Sequence, residues 1–413
     1  MFLPIKRRLM LGGAAAGTAT MLVPRAGRTQ SSAIKIGVLT DMSGPYSDTT
    51  GMGSVIATQM AVQDFMASHP DIRVEVISAD MQNNPSVGLS IARGWFDRDG
   101  VDAVTDVGQS DIALAVATLV RDKDKVALFG APGTDALTGK ACGPNHVHWT
   151  FDTWAFAAAI GRAVVATGGD TWFFVTADYA YGHALENNTT RFIEEAGGKV
   201  VGHATFPFPG TTDFASYLLQ AQSSRAKIVG FAAGGGDLIN CLKQAGEFGI
   251  VRGGQRLAGI TVLINQINSL GLEATQGLVL VSPFYWDLND GTRAFSHRFA
   301  AQFKGLMPTM VQAGAYSDAI HYLKAVEALG VDKAKASGRA TVAQMKAMPT
   351  EDPLFGRGRV REDGRKIHDL YLFEVKSPAD SQYPWDYYKK LRTIPSEQAF
   401  RPMADGGCPM IHI

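Results

Sequence analysis

The stretch Ile34-Lys-Ile-Gly-Val-Leu-Thr40 runs into Asp41-Met-Ser-Gly-Pro-Tyr-Ser-Asp48, and an apolar-periodic segment from Met52 to Phe65 follows. A short apolar run, a loop of Gly, Pro and Ser, and then a helical period describe one strand–loop–helix unit. Outward from it the same unit repeats. Arg73 to Ala79 alternates and is β-branched, and Pro85 opens a helical stretch to Phe96, as proline suits a first helical turn. Val101 to Thr105, Ser110 to Arg121 and Val126 to Phe129 then read as strand, helix and strand. Strands separated by helical stretches of about 10–15 residues specify a parallel sheet.

The pattern restarts after Trp149. Helical runs at 153–166 and 183–196 end at Gly168-Gly169 and Gly197-Gly198, the preferred helix stop. Further helices are expected at 214–222 and 237–248, and strands at 171–176, 199–205, 227–231, 257–263 and 277–283. Beyond 283 the chain reads as mostly helical (292–304, 313–330, 341–348), then one strand at 369–375 and a Pro/Tyr-rich tail. The expected fold class is α/β, with two lobes of similar design over roughly 33–150 and 151–279.

The chain has 413 residues, 39 basic and 39 acidic side chains, and 46% hydrophobic residues. That hydrophobicity excludes an intrinsically disordered chain, and the charge balance argues against nucleic acid or an anionic membrane surface as partner. At the start, Lys6-Arg7-Arg8 precedes an apolar run from Leu9 to Val23 and a small-residue region. This reads as a cleaved export signal, twin-arginine-like, over residues 1–32 with a short linker. No cysteine lies there, so no lipid anchor is expected, and removal of residues 1–26 takes four basic and no acidic side chains. Export places the three cysteines in an oxidising compartment. Cys142 and Cys408 lie in Gly/Pro loops and are the favoured pair, with Cys241 on a helix as a core residue. Three pairings remain open on sequence.

Signatures of catalysis do not assemble. Gly51-Met-Gly-Ser-Val-Ile56 has isoleucine at the third glycine position of a dinucleotide loop, and no phosphate-binding Gly-x-x-x-x-Gly-Lys exists. Gly108-Gln-Ser-Asp-Ile112 lacks the second glycine of a nucleophile elbow. His146 and His148 make at most two metal ligands, where catalytic zinc takes three. Neither metal nor cofactor is expected. What recurs is polar and aromatic residues just after strands: Asp41 to Asp48, Asp106 to Asp111, Ala131 to Asp135, Asp178 to Gly182, and Ala232 to Asp237. Each can serve simply as a turn or helix cap. Together they line the carboxyl ends of parallel strands, where open α/β sheets bind ligands.

Four of these segments resemble the extracytoplasmic solute-binding proteins of ABC transporters, in the branched-chain amino-acid (leucine/isoleucine/valine-binding) family. The resemblance rests on Ile36 to Tyr46, Phe129 to Thr138, Asp178 to Gly182 and Gly236 to Ala245, and spans nearly the whole chain after the signal. It implies a periplasmic-binding-protein type I fold: two Rossmann-like lobes with parallel sheets, joined by three crossovers around a ligand cleft. Lobe 1 is then expected at 33–150 plus 287–354, and lobe 2 at 151–279 plus 368–390. The crossovers fall at 280–286 and 355–367 besides the one after residue 148, and the tail at 391–413. The implied ligand set is Tyr46, Gln109, Ser110, Asp111, Thr134, Trp149, Asp152, Trp154, Tyr179 and Asp237. In it Ser110 and Thr134 donate to a carboxylate and Asp237 holds an amine. Asp111, in the first turn of its helix, is a candidate to cap that helix. The aromatic set suits a flat solute. The implied role is a periplasmic, monomeric binding component that closes on an amino acid or an aromatic or amide-type solute and delivers it to a membrane permease driven by an ATPase. A ligand sensor of the same fold, or an exported α/β enzyme, are the alternatives.

Overall fold

A computed structural model describes residues 33–411. The basic cluster and apolar run read as an export signal lie outside the described residues.

Strand β1 (Ile34–Thr40) is apolar on both faces because both are covered. It pairs in parallel with β2 (Val74–Asp80) on one side and β3 (Ala103–Asp106) on the other. β4 (Val126–Phe129) and β5 (His146–His148) extend the sheet, giving the order β2-β1-β3-β4-β5. Alternation along the strands divides the core. Ile34, Ile36 and Leu128 pack with Tyr322, Leu323 and Val326 of the helix Met310–Leu329. Leu39, Val104 and Phe129 pack with Ile112, Val116 and Val120 of the helix Ser110–Lys123. A late segment of the chain therefore supplies half the core of the first lobe. Its helix starts at a capping box in which Gln312 N–H donates to Thr309 Oγ1 and Thr309 N–H to Gln312 Oε1.

In the second lobe, β6 (Thr171–Asp178), β7 (Lys199–Pro207), β8 (Ile228–Ala232), β9 (Arg256–Gly259) and β10 (Val279–Ser282) pair in parallel. A small antiparallel sheet of β11 (Pro349–Asp352), β12 (Gly356–Val360) and β13 (Lys366–Ile367) follows. β14 (Leu370–Val375) and β15 (Tyr388–Ile394) then join the second lobe antiparallel, in the order β15-β14-β10-β9-β8-β6-β7. Three boundaries differ from the sequence reading. β10 carries the second lobe to Ser282, segment 355–367 holds strands rather than a plain crossover, and β15 reaches Ile394 inside the expected tail. β15 was invisible because its interior residues, Lys389 to Thr393, are all exposed and mostly charged or polar. That pattern protects an edge strand and leaves it without apolar alternation in the sequence.

The chain passes between lobes after β5, after β10 and before β14. Arg365 ties two of these passages together: its Nη1 donates to Phe151 O at 2.9 Å and its Nη2 to Trp149 O at 3.2 Å. The guanidinium also lies 4.4 Å over the Phe400 ring. Beyond β15 the tail leaves the second lobe and ends on the first. There Arg401 grips Asp135 at 2.9 Å and Cys408 is disulfide-bonded to Cys142, with Cα atoms 5.6 Å apart. Cys241 is buried and unpaired.

Candidate functional site

The carboxyl ends of the two sheets face one another, and the loops after β1, β3, β4, β6 and β8 meet between them. The Asp41 carboxylate shapes the first of these loops by accepting from Gly44 N–H at 2.7 Å and Tyr46 N–H at 2.9 Å. Burial raises the Asp41 pKa above the usual carboxylate value, and these backbone donors oppose the rise. The turn presents Tyr46 to the other lobe, where its hydroxyl hydrogen-bonds the Tyr179 hydroxyl. Tyr179 stacks on Phe208 with centroids 4.2 Å apart. Burial pushes the phenols of Tyr46, Tyr179 and Tyr181 upward, so all three stay neutral.

The lobes also touch through backbone. Gly236 N–H donates to Pro45 O at 3.0 Å, and Gly235 adopts φ +66°. A Cβ on Gly235 would stand 2.6 Å from Pro45 O, and one on Gly133 would stand 2.4 Å from the Tyr181 ring. Glycine at both places lets the lobes close to contact.

The pocket between the lobes is lined by Tyr46, Ser110, Phe151, Tyr179, Tyr181 and Thr261, among others, with a free volume of about 40 Å³. No side chain lining it is charged. Its polar character comes from hydroxyls and from helix amino ends. The helices Ala180–Glu195 and Gly235–Glu247 begin without a side-chain cap. Thr261 is 3% exposed and its Oγ1 has no hydrogen-bond partner.

Of the residues expected at the site, Tyr46, Ser110 and Tyr179 line this pocket. The others are engaged elsewhere. Gln109 caps its helix by accepting from Ile112 N–H at 2.8 Å, and its Nε2 donates to Asp111 at 2.9 Å. The cap is therefore Gln109, not Asp111. Thr134 accepts from Ala136 N–H in a short 3-10 turn. Trp149 is fully buried, its Nε1–H donating to Ser317 Oγ at 2.8 Å. Asp152 caps the helix Thr153–Ala166 by accepting from Ala155 N–H at 2.7 Å, and its other oxygen lies 3.6 Å from Arg365. Trp154 packs edge-on against Phe192. Asp237 accepts from Gly210 N–H at 3.1 Å and is not among the residues that line the pocket. Burial raises its pKa, against the lowering effect of the Gly210 and Thr211 amides. Tyr181 lies in the first turn of the helix that Tyr179 precedes, within the same Asp178 to Gly182 segment, so the same signal could have found it. Thr261 could not be found, since 257–263 read as one strand whereas β9 stops at Gly259.

Two α/β lobes hinged by repeated crossovers, with a pocket between facing strand ends, define a bilobal solute-binding protein. Residues 33–382 match the family model described as periplasmic binding protein. A periplasmic binding protein from Burkholderia mallei is 44% identical, with a TM-score of 0.86 over 92% of this chain and 99% of that one. A branched-chain amino-acid ABC transporter periplasmic ligand-binding protein from Burkholderia xenovorans LB400 is 40% identical, with a TM-score of 0.81 over 91% and 99%. An ABC-transporter solute-binding protein from R. palustris, solved with benzoate, shares the fold at 21% identity and a TM-score of 0.77 over 92% and 100%. No curated relative matches the sequence. The chain belongs to the periplasmic binding protein family, as a type I member of the leucine-binding group.

Proposed function

We propose that this protein is the periplasmic binding component of an ABC importer and that its solute is an aromatic carboxylate rather than an α-amino acid. The observation that carries this reading is a pocket wall with three tyrosines, one phenylalanine and no charged side chain. An α-amino acid brings an ammonium group, and an ammonium taken out of water needs a carboxylate partner. Asp237, the acid expected to provide one, is turned toward the Gly210 loop. A carboxylate, by contrast, is served by free helix amino ends and neutral hydroxyl donors. Neutral Tyr46, Tyr179 and Tyr181 and the Thr261 hydroxyl supply such donors, and the rings supply apolar faces. Solute-binding proteins of the same fold have been solved with benzoate, 4-hydroxybenzoate and 3,4-dihydroxybenzoate.

In this reading the solute enters an open cleft, parts the Tyr46–Tyr179 contact and bridges the lobes. The closed form is then recognised by a membrane permease coupled to an ATPase, as hinge-bending binding proteins are. The chain captures and releases its solute unchanged, and acts as an exported monomer. Calorimetric titration of protein stripped by unfolding and refolding tests the assignment, with benzoate, 4-hydroxybenzoate and L-leucine as ligands. The aromatic acids should bind at least about tenfold tighter than leucine, a difference of about 1.4 kcal/mol. Tighter binding of leucine would overturn the assignment.

A further inference from the structure

A second cavity lies in the second lobe at the amino ends of its strands, the end of the sheet away from the interlobe pocket. Its volume is about 320 Å³, within the range of small-molecule sites. It exists because the sheet parts there. β9 and β10 pair only through Ala258 and Val279, whereas β8 pairs with β9 from Ile228–Arg256 to Phe231–Gly259. The opening is walled by Val164, Leu242, Leu257, Leu270, Val279 and Leu372. No aromatic ring and no acidic side chain lines it, in contrast to the ring-lined interlobe pocket.

Two features mark its mouth. Val251 and Leu391 line it and remain 57% and 43% exposed, an apolar rim that water meets directly. The one cation is Arg256, whose backbone N–H is fixed on Lys227 O at 2.8 Å. Its guanidinium reaches across Gly169, with Nη2 2.6 Å from where a Cβ on that glycine would sit. The neighbouring cation Lys227 is paired with Asp170 at 2.9 Å, whereas no carboxylate among the described residues lies within salt-bridge distance of Arg256. An aliphatic cavity with one unpaired guanidinium at its edge matches a flexible apolar chain ending in a single planar anion.

We propose that this cavity is a second ligand site, distinct from the interlobe pocket, and that it takes a medium-chain alkyl carboxylate with its chain between β9 and β10 and its carboxylate on Arg256. The aliphatic wall selects a chain over a ring, and Arg256 selects an anion over an alcohol. Because the wall belongs to one lobe, occupancy does not require the lobes to close.

Calorimetric titration of the folded protein with octanoate, hexanoate and 1-octanol tests this. Octanoate should bind saturably at one site and tighter than hexanoate by about fourfold per methylene, the factor that burying each CH₂ contributes. Arg256→Gln should weaken octanoate about tenfold and leave 1-octanol unchanged, since only the ion-paired head is lost. Tyr179→Ala, in the interlobe pocket, should leave octanoate binding intact. Absence of saturable octanoate binding at millimolar concentration, indifference to Arg256→Gln, or loss of binding in Tyr179→Ala would each overturn the proposal. The last result would place octanoate between the lobes.

Discussion

Replacing both Cys142 and Cys408 by serine should cost the protein more stability than any surface change of similar size. The disulfide joins residues 266 apart in sequence and so closes most of the described chain into one covalent loop. Chain-entropy theory assigns closure of a loop that long about 5–6 kcal/mol, because the unfolded chain loses the freedom to separate its ends. The folded state keeps the neighbouring contacts that hold the tail in place. Arg401 still reaches Asp135, and Arg361 Nη1 still donates to Arg401 O at 2.8 Å. The cost therefore falls mainly on the unfolded ensemble. At about 2.1 cal/mol/K per residue, a chain of this length has an unfolding entropy near 0.8 kcal/mol/K, so the midpoint should fall by roughly 7 °C. Differential scanning calorimetry of the double variant, with wild type measured in the presence and absence of dithiothreitol, reads this directly. Reduced wild type should melt with the variant. A shift below about 1 °C, or reduced and oxidised protein melting together, would refute the argument.

Other consequences follow from the pocket and the buried ionisable groups. Tyr46→Phe removes a hydroxyl from the one side-chain hydrogen bond between the lobes' tyrosines, so the solute-free protein should open more often. Loss of about 1 kcal/mol corresponds to roughly a fivefold shift, visible as a larger radius of gyration by small-angle scattering. Asp237→Ala should change solute affinity less than about threefold yet lower stability by about 1–2 kcal/mol, because its carboxylate holds the Gly210 loop. Tyr179→Ala should weaken the solute at least about tenfold without unfolding the protein; titration and urea denaturation together separate the two cases. Burial pushes the Asp106 carboxyl up to about 7, so its folded state holds a proton that the unfolded chain releases near pH 4. Its penalty on folding is therefore absent below about pH 4 and grows as pH rises to 7, the reverse of a salt-bridged acid. Burial pushes His146 and His321 down to about 4, so their contribution is complete above about pH 6.5 and lost as pH falls toward 4. Urea denaturation of wild type and Asp106→Asn from pH 4 to 8 should show the variant gaining stability relative to wild type as pH rises. The opposite trend would place the Asp106 proton elsewhere.

The parallel sheets were legible because covered strands read as unbroken apolar runs and their helices carry clear stops, as at Gly168 and Gly197. Elements that meet water on most of their surface were not. β15 shows charge where a half-buried strand would alternate apolar and polar, and β12 is exposed at Gly356, Arg357 and Arg359. The site divides along the same physical line. Tyr46 and Tyr179 sit in loops, and Ser110 opens a helix, just after the strand that fixes each, so strand order alone placed them at the cleft. Asp237 and Gln109 have competing local partners, a loop amide and a helix amide, and these short-range hydrogen bonds decided where the side chains point. Trp149 and Trp154 were expected at the solute because aromatic rings suit flat ligands. In the fold each finds a full packing partner first, Trp149 under Lys366 and Trp154 on Phe192. Sequence specifies which residues reach an edge more readily than which of them remain free there.

The grip of Arg365 on the first passage between the lobes has a mechanical consequence. Separate flexible linkers would let two bodies tilt, slide and twist independently. Here a fully buried guanidinium binds the carbonyls of Trp149 and Phe151 from a neighbouring passage and rests on Phe400 of the tail. Chains fastened at one place turn about that place like leaves on a common axle. A turn about that place leaves these contacts intact, whereas sliding one lobe past the other would break them.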